Sequence, residues 1–156
     1  MPLDPSYVGR CYPSSPPGQS YLVGREKIGE FARAIGATDP AHTDPDAARA
    51  LGYPDVIAPP TFAIVLTLGA SQQLMHDPEL GLDFSRVVHG DQRFVHTRPI
   101  TAGDRLLVTT YIDAIRSAAG NDLLTVRGEV TTEAGEHVST AFCTLVARGT
   151  SEGAAR

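Results

Sequence analysis

The chain has 156 residues, of which 42% are hydrophobic and 20% are charged, and its formal net charge is -5 at pH 7. These values predict one globular domain and exclude an intrinsically disordered chain. Because Lys and Arg form no basic stripe, no nucleic-acid partner is expected. The sequence shows no secretory signal, and its longest apolar run, 62–70, is too short to cross a bilayer. Two distant cysteines suit a reducing compartment, so we expect a cytoplasmic protein that does not bind membranes.

The N-terminal third predicts an extended segment followed by two helices. Residues 1–20 are rich in Pro, Ser and Gly, with at most a short strand over 19–23. In REKIGEFARAIG, four apolar residues recur at helical spacing: Ile28, Phe31, Ala32 and Ile35. Gly36 is placed to end this helix. A second helix is predicted over 45–51, with Asp44 as its N-cap.

A third helix of about fifteen residues is predicted after the Pro59–Pro60 pair. Its first turns are apolar on all sides: Phe62, Ala63, Ile64, Val65, Leu66 and Leu68. A helix without a polar face is buried on every side. In a domain of this size, such burial requires a sheet that wraps around the helix.

Four segments with the length and β-branched composition of strands follow: 86–97, 105–115, 122–132 and 137–148. Turns that contain Gly separate them. In the third segment apolar and polar residues alternate, so one face of the sheet is expected to contact water. The sequence therefore predicts an α+β fold, with one domain over 1–148 and a polar tail over 149–156.

Four polar side chains crowd the segment after the first helix: Asp39, His42, Asp44 and Asp46. The residues alone leave open a catalytic cluster, a metal site or a polar turn that caps the next helix. The helix-capping role of Asp44 removes one carboxylate from the cluster. Without a family to compare, the spacing favours a turn role for Asp39 and a partly exposed loop position for His42.

A second group of candidate ligands lies in the first predicted strand. His89 and Asp91 share one face of a regular strand and His96 points to the other, unless a bulge intervenes. No pair has the spacing of a known zinc motif, so we expect no metal. His89 is expected to be an ordinary strand residue or a contact for substrate or carrier. Cys143 is expected to be a small core residue rather than a nucleophile.

Two motifs, GATDPAH over 36–42 and the FVHTRPITAGD stretch over 94–104, resemble motifs of the MaoC-like family of (R)-specific enoyl hydratases and 3-hydroxyacyl dehydratases. Members carry Gly-Asp-x-Asn-Pro-x-His after the first helix, and residues 36–42 read GATDPAH. An aromatic residue, a proline and Gly-Asp follow in the family, and this chain matches them with Phe94, Pro99, Gly103 and Asp104. The resemblance is strongest to an actinobacterial branch that contains subunits of the mycobacterial 3-hydroxyacyl-ACP dehydratase.

The resemblance implies a single hot-dog domain, in which an antiparallel sheet wraps a long central helix. It implies a hydro-lyase for (3R)-hydroxyacyl or trans-2-enoyl thioesters of acyl carrier protein or coenzyme A, in fatty-acid or polyketide metabolism. It further implies a homodimer, or a heterodimer with a second hot-dog subunit, that joins at a sheet edge and holds the active cleft at the interface. No cofactor is expected.

The first motif departs from the family at one catalytic position. His42 matches the catalytic histidine, but Ala37 stands where the family has its aspartate, and Asp39 stands where it has asparagine. His42 is expected to be the general acid or base, and Asp39 is expected to orient it or to share the proton transfer. Because an alanine side chain cannot transfer a proton, the alternative is a non-catalytic acyl-chain-binding subunit whose hot-dog partner supplies the catalytic residues.

The start of the third helix is the predicted place for the substrate thioester. Pro60, Thr61 and Phe62 are expected to bind substrate there, with a free N–H of Thr61 or Phe62 donating to the carbonyl. His89 is the remaining candidate substrate contact. A thioesterase of the same fold ranks below both hypotheses, because the segment PPTFAI has no carboxylate.

Overall fold

The computed structural model describes residues 2–14 and 18–150, and its largest element is an antiparallel sheet. The strands are β1 (Cys11–Tyr12), β2 (Tyr21–Leu22), β3 (Val87–His96), β4 (Arg105–Ala118), β5 (Asn121–Thr132) and β6 (His137–Ala147). Their order is β1-β4-β5-β6-β3, with β2 also paired to β4. The four predicted strands are therefore present. The first of them, β3, does not pair with the next strand along the chain but lies at the sheet edge beside β6.

Tight turns set the register of the long strands. Ala119 and Gly120, between β4 and β5, both have positive φ angles of 50° and 78°. This backbone twist matches the twist of the two flanking strands and keeps them paired close to the turn. The predicted alternation is also present in β5, where every second side chain is buried.

The first two helices confirm the sequence prediction. Helix α1 spans Arg25–Ala34 and buries Ile28 and Ala32, and Gly36 follows it with a φ of +71°. The predicted apolar stripe extends one residue too far, since Ile35 lies at the helix end and is 50% exposed. Helix α2 spans Pro45–Ala50, and the Asp44 carboxylate accepts the N–H of Asp46 as its N-cap.

The predicted third helix is shorter than expected and is interrupted. Two short helices, α3 (Ile64–Ala70) and α4 (Gln72–Met75), take its place, with Ser71 between them. The Thr67 and Ser71 hydroxyls each donate to the carbonyl four residues earlier, a bond that weakens and bends a helix. None of the described helices is long and apolar enough to cross a membrane.

The expectation that this helix is buried on every side is also wrong. Phe62, Ala63 and Leu66 are buried, but Leu68 is 55% exposed. The inner side of α3 packs on β5 at Gly128, where an added Cβ would lie 3.2 Å from Thr67 Cγ2. The glycine permits this close approach, which brings the helix onto the sheet and leaves its other side open.

The buried residue Asp122 ties the segments at Leu3 and Thr150 to the sheet. It accepts the Leu3 N–H at 2.9 Å and the Ser117 hydroxyl, while the Asp122 N–H donates to Thr150 Oγ1. Thr150 is itself buried and donates to the Ala147 carbonyl. The packed domain therefore extends to residue 150, two residues into the predicted tail; the rest of that tail, 151–156, lies outside the described residues.

We expect Asp122→Asn to lower the free energy of unfolding by about 1–3 kcal/mol at pH 7, because the buried hydrogen bonds with Leu3 and Ser117 lose their charged acceptor. Urea denaturation measures the change. Asp46→Asn is the matched control, since its ion pair with Arg49 is solvent-exposed, and we expect a change of no more than about 0.5 kcal/mol.

The same variant should remove part of the acid dependence of stability. Burial alone would raise the pKa of Asp122, but hydrogen bonds from Ser117 and Leu3 outweigh it and hold the pKa below the usual 3.8. A lowered folded-state pKa gives stability that is complete above pH 3.8 and is lost as the pH falls below it. Equal acid sensitivity of the wild type and Asp122→Asn would contradict this assignment.

Candidate active site

His42 ends a short 3-10 helix, Pro40–His42, which follows directly on the turn after α1. The Asp39 carboxylate accepts the Ala41 N–H at 2.9 Å as the N-cap of this helix. Ala37 precedes it, and its N–H donates to the Ala32 carbonyl at the end of α1. Asp39 therefore positions His42 through the backbone of the turn, and no hydrogen bond between these two side chains occurs within residues 2–14 and 18–150.

The backbone of Ile57 holds the His42 ring. His42 Nδ1 lies 2.7 Å from the Ile57 carbonyl oxygen, and the Ile57 N–H donates to the Ala41 carbonyl. Because a carbonyl oxygen only accepts hydrogen bonds, Nδ1 carries the proton and Nε2 is the atom that binds or releases one. His42 as a whole residue is only 8% exposed, so packing also restricts the orientation of its ring.

A cavity of about 420 Å³ lies in front of this ring. It is lined by three segments: Asp39 and His42; Ile57, Ala58, Pro59 and Pro60; and His96, Thr97, Arg98, Pro99 and Ile100. Of the predicted site residues, it brings together Asp39, His42 and Pro60. Ala37, at the position of the family aspartate, is not among the lining residues.

The start of the third helix lies beside the cavity rather than in its wall. Phe62 is fully buried and packs edge-to-face on Phe31, with ring centroids 5.4 Å apart. Its N–H already donates to the Pro59 carbonyl at 2.9 Å, so it is not a free donor as the sequence predicted. The Thr61 N–H has no hydrogen-bond partner within the described part of the chain, which leaves it as the candidate carbonyl donor.

His89 lies elsewhere, because β3 contains a bulge. The register with β6 slips between His89 and Asp91, with Gly90 as the extra residue. His89 and Asp91 therefore do not share a face, whereas His89 and Gln92 do and are hydrogen-bonded. The bulge also turns His96 to the face that His89 occupies, which corrects the prediction of opposite faces. In the sequence, the glycine between His89 and Asp91 was the signal that could have indicated this bulge.

His89 and Gln92 line a second, apolar cavity of about 410 Å³ between α3, α4 and the sheet. Its other lining residues include Ile64, Leu68, Met75, Phe84, Val126 and Leu145. Cys143 also lines it, and burial raises the pKa of the thiol to about 11. The thiol is therefore protonated near neutral pH, as expected of an inert core cysteine. Within residues 2–14 and 18–150, no three His, Cys, Asp or Glu side chains are grouped to hold a metal.

Arg98 braces the rim of the first cavity. Its guanidinium donates twice to the Asp104 carboxylate, at 2.8 and 3.0 Å, and also to Glu136. The hydrogen bonds that Arg98 donates to Asp104 are the main reason that the pKa of Arg98 is raised above its usual value. Asp104 also accepts the Thr101 N–H, so this one ion pair holds the turn that follows the cavity wall at Ile100.

The sequence model of a family described as "FAS1-like, dehydratase domain region" matches residues 8–141. A UPF0336 protein of Streptomyces avermitilis is 61% identical over 153 residues, which cover 98% of this chain and 100% of that protein. The match with both therefore extends over nearly the whole domain.

Two solved structures resemble the fold closely. The C-terminally truncated HadBC (3R-hydroxyacyl-ACP dehydratase) complex from Mycobacterium tuberculosis matches with a TM-score of 0.81 and 32% identity, over 94% of this chain and 99% of that chain. A MaoC-like dehydratase matches with a TM-score of 0.84 and 37% identity, over 92% of this chain but 42% of that chain. These comparisons confirm the predicted hot-dog domain and the resemblance to MaoC-like dehydratases.

We expect Arg98→Met to lower the free energy of unfolding by about 1–3 kcal/mol, because it leaves the partly buried Asp104 carboxylate without its charged donor. Arg49→Met removes an exposed ion pair of α2 and should cost no more than about 0.5 kcal/mol. Chemical denaturation of both variants checks the difference. Equal losses would mean that Arg98 does not brace the turn.

Proposed function

We propose that this chain, which belongs to the FAS1-like dehydratase domain family, is a hydro-lyase that acts on (3R)-hydroxyacyl or trans-2-enoyl thioesters. The observation that carries the proposal is the His42 ring, held by the Ile57 carbonyl through Nδ1 and lining a cavity large enough for a thioester group. The acyl group would be carried on acyl carrier protein or coenzyme A, in fatty-acid or polyketide metabolism.

His42 is the general acid or base in this proposal. β-Elimination of water removes the C2 proton and protonates the departing hydroxyl, and a neutral imidazole Nε2 accepts a proton near neutral pH. Asp39 contributes by capping the 3-10 helix that carries His42. The Thr61 N–H is the proposed donor to the thioester carbonyl, where negative charge develops in the transition state.

The second candidate is a non-catalytic acyl-binding subunit, and the alanine at position 37 favours it. The apolar cavity below α3 suits an acyl chain, since Leu, Ile, Val, Met and Phe side chains supply seven of its fifteen lining residues. In that case a second hot-dog subunit supplies the proton-transfer groups, and His42 is only part of the cavity wall.

We also propose that the chain dimerises through the β3 edge, with itself or with a second hot-dog subunit. This ten-residue strand pairs only with β6 among the described strands. Val88 and Val95, on the same strand, are 41% and 48% exposed. A long edge strand with exposed apolar side chains is a ready site for pairing with another chain.

We expect the purified protein to hydrate crotonyl thioester and His42→Asn to lower kcat/KM by about 10²–10⁴-fold, because the titrating nitrogen is lost. Asn retains an N–H for the Ile57 carbonyl, and thermal denaturation tests whether the fold is kept. Asp39→Asn keeps a good N-cap and should retain more activity than Asp39→Ala. Ala37→Asp, which restores the family carboxylate, should raise the rate.

A wild-type rate in His42→Asn would contradict the catalytic role. The alternative result is that the wild type alone is inactive while its addition greatly raises the activity of a second hot-dog protein with an intact Asp/His pair. That result would assign the chain as the acyl-binding subunit. The same assay, run with and without the partner, therefore distinguishes the two hypotheses.

The double variant Val88→Lys/Val95→Lys should shift the protein from dimer to monomer, because two facing charged edges repel each other. Light scattering after size-exclusion chromatography measures the mass. Val8→Lys is the control, since Val8 is similarly exposed, at 46%, but lies outside β3. A dimer that persists in the double variant would place the interface on another surface.

A further inference from the structure

A second histidine faces the cavity that contains His42. His96, at the end of β3, lines this cavity from the opposite segment of the chain. Its Nδ1 lies 2.9 Å from Ser139 Oγ, and its ring stacks on Phe94 with centroids 6.0 Å apart and planes 9° apart. The ring is therefore fixed by one hydrogen bond and one stacking contact, in the way that a catalytic side chain needs.

The bond to Ser139 occupies one of the two ring nitrogens of His96. Ser139 Oγ lies 2.9 Å from Nδ1, which anchors the ring through this atom. His96 Nε2 has no hydrogen-bond partner within residues 2–14 and 18–150. His42 and His96 thus present the same pattern, with Nδ1 anchored by a hydrogen bond and Nε2 uncommitted.

The other groups of the cavity do not supply the second proton carrier that the reaction needs. Ala37 has no titratable atom and does not line the cavity. The Asp39 carboxylate already accepts the Ala41 N–H as a helix cap and so holds the turn that carries His42. Arg98 is always charged and is paired with Asp104 and Glu136.

We infer that His96 is the second proton-transfer residue of this site and performs the role that the missing carboxylate has in related enzymes. The inference rests on the proposed hydro-lyase function. One neutral imidazole Nε2 takes the proton from C2, and the C2–H electron pair forms the C2–C3 double bond. The C3–O bond breaks, and the hydroxyl takes a proton from the other, protonated imidazole and leaves as water. Solvent then returns the two rings to their starting states.

This scheme needs one neutral and one protonated histidine at the same time, so the rate should be bell-shaped in pH. The charged and titratable groups that face His96 across the cavity are Asp39, His42 and Arg98. On the adjacent strand β6, His137 contacts Thr97 rather than the His96 ring, and its other nitrogen bonds Glu129.

The test is the pH profile of kcat/KM for hydration of crotonyl thioester. His96→Asn keeps an N–H for Ser139, and we expect a loss of about 10²-fold or more together with the loss of one limb of the bell. His76→Asn is the matched control. His76 is also exposed, has Nδ1 bonded to the Gln72 carbonyl and stacks on Phe84, but it lines neither cavity.

The shape of the pH profile separates a proton-transfer role from a structural one. A structural defect in His96→Asn lowers the rate at every pH and keeps both limbs of the bell, whereas the loss of a proton carrier removes one limb. A His96→Asn protein that keeps both limbs, at the wild-type rate or at a lower one, would overturn the inference while the proposed hydro-lyase activity stands. A wild type without activity, alone and with a partner subunit, would instead overturn the hydro-lyase function and this inference together.

Discussion

The backbone of residue 57 is the constraint on which the site depends. Its N–H donates to the Ala41 carbonyl and its carbonyl accepts from His42 Nδ1, so both backbone polar groups of one residue fix the histidine turn. On the other side of the same segment, the Ala58 N–H donates to the Ile100 carbonyl, and Ala102 donates to Val56. Residues 56–58 therefore link the histidine turn to the segment that leaves β3. The cavity lies between the two.

A single extra residue in β3 decides which side chains reach that cavity. The bulge at Gly90 reverses the alternation of the strand, so that Gln92, Phe94 and His96 point toward the helices. An added Cβ at Gly90 would lie 3.2 Å from the Thr144 carbonyl oxygen, which explains why glycine occupies the bulge. The same face of β3 contributes to both cavities, with His89 and Gln92 in one and His96 in the other. A regular strand would turn His89 and His96 to opposite faces.

Local signals predicted the elements that depend on neighbouring residues. Helix α1 follows from its apolar spacing, α2 from the Asp44 cap, and the long strands from β-branched segments separated by glycine turns. The wrong predictions concern features that depend on contacts between residues far apart in the chain. The third helix has the composition of a buried helix, yet Leu68 is exposed, because the sheet packs on one side of α3 only. The sequence left the Phe62 N–H as a free donor, but in the structure it donates to the Pro59 carbonyl.

The sequence by itself determined the α+β class, the placement of His42 after the first helix and the alanine at position 37, since composition and spacing are local properties of the chain. The hot-dog fold was implied by the resemblance to MaoC-like dehydratases. Tertiary structure alone decided that β3 pairs with β6, that His42 Nδ1 meets the Ile57 carbonyl and that His96 lies across the same cavity. His42 and His96 are far apart in the chain, and no periodicity connects them. Only strand order, a bulge and a backbone link bring the two rings to one cavity.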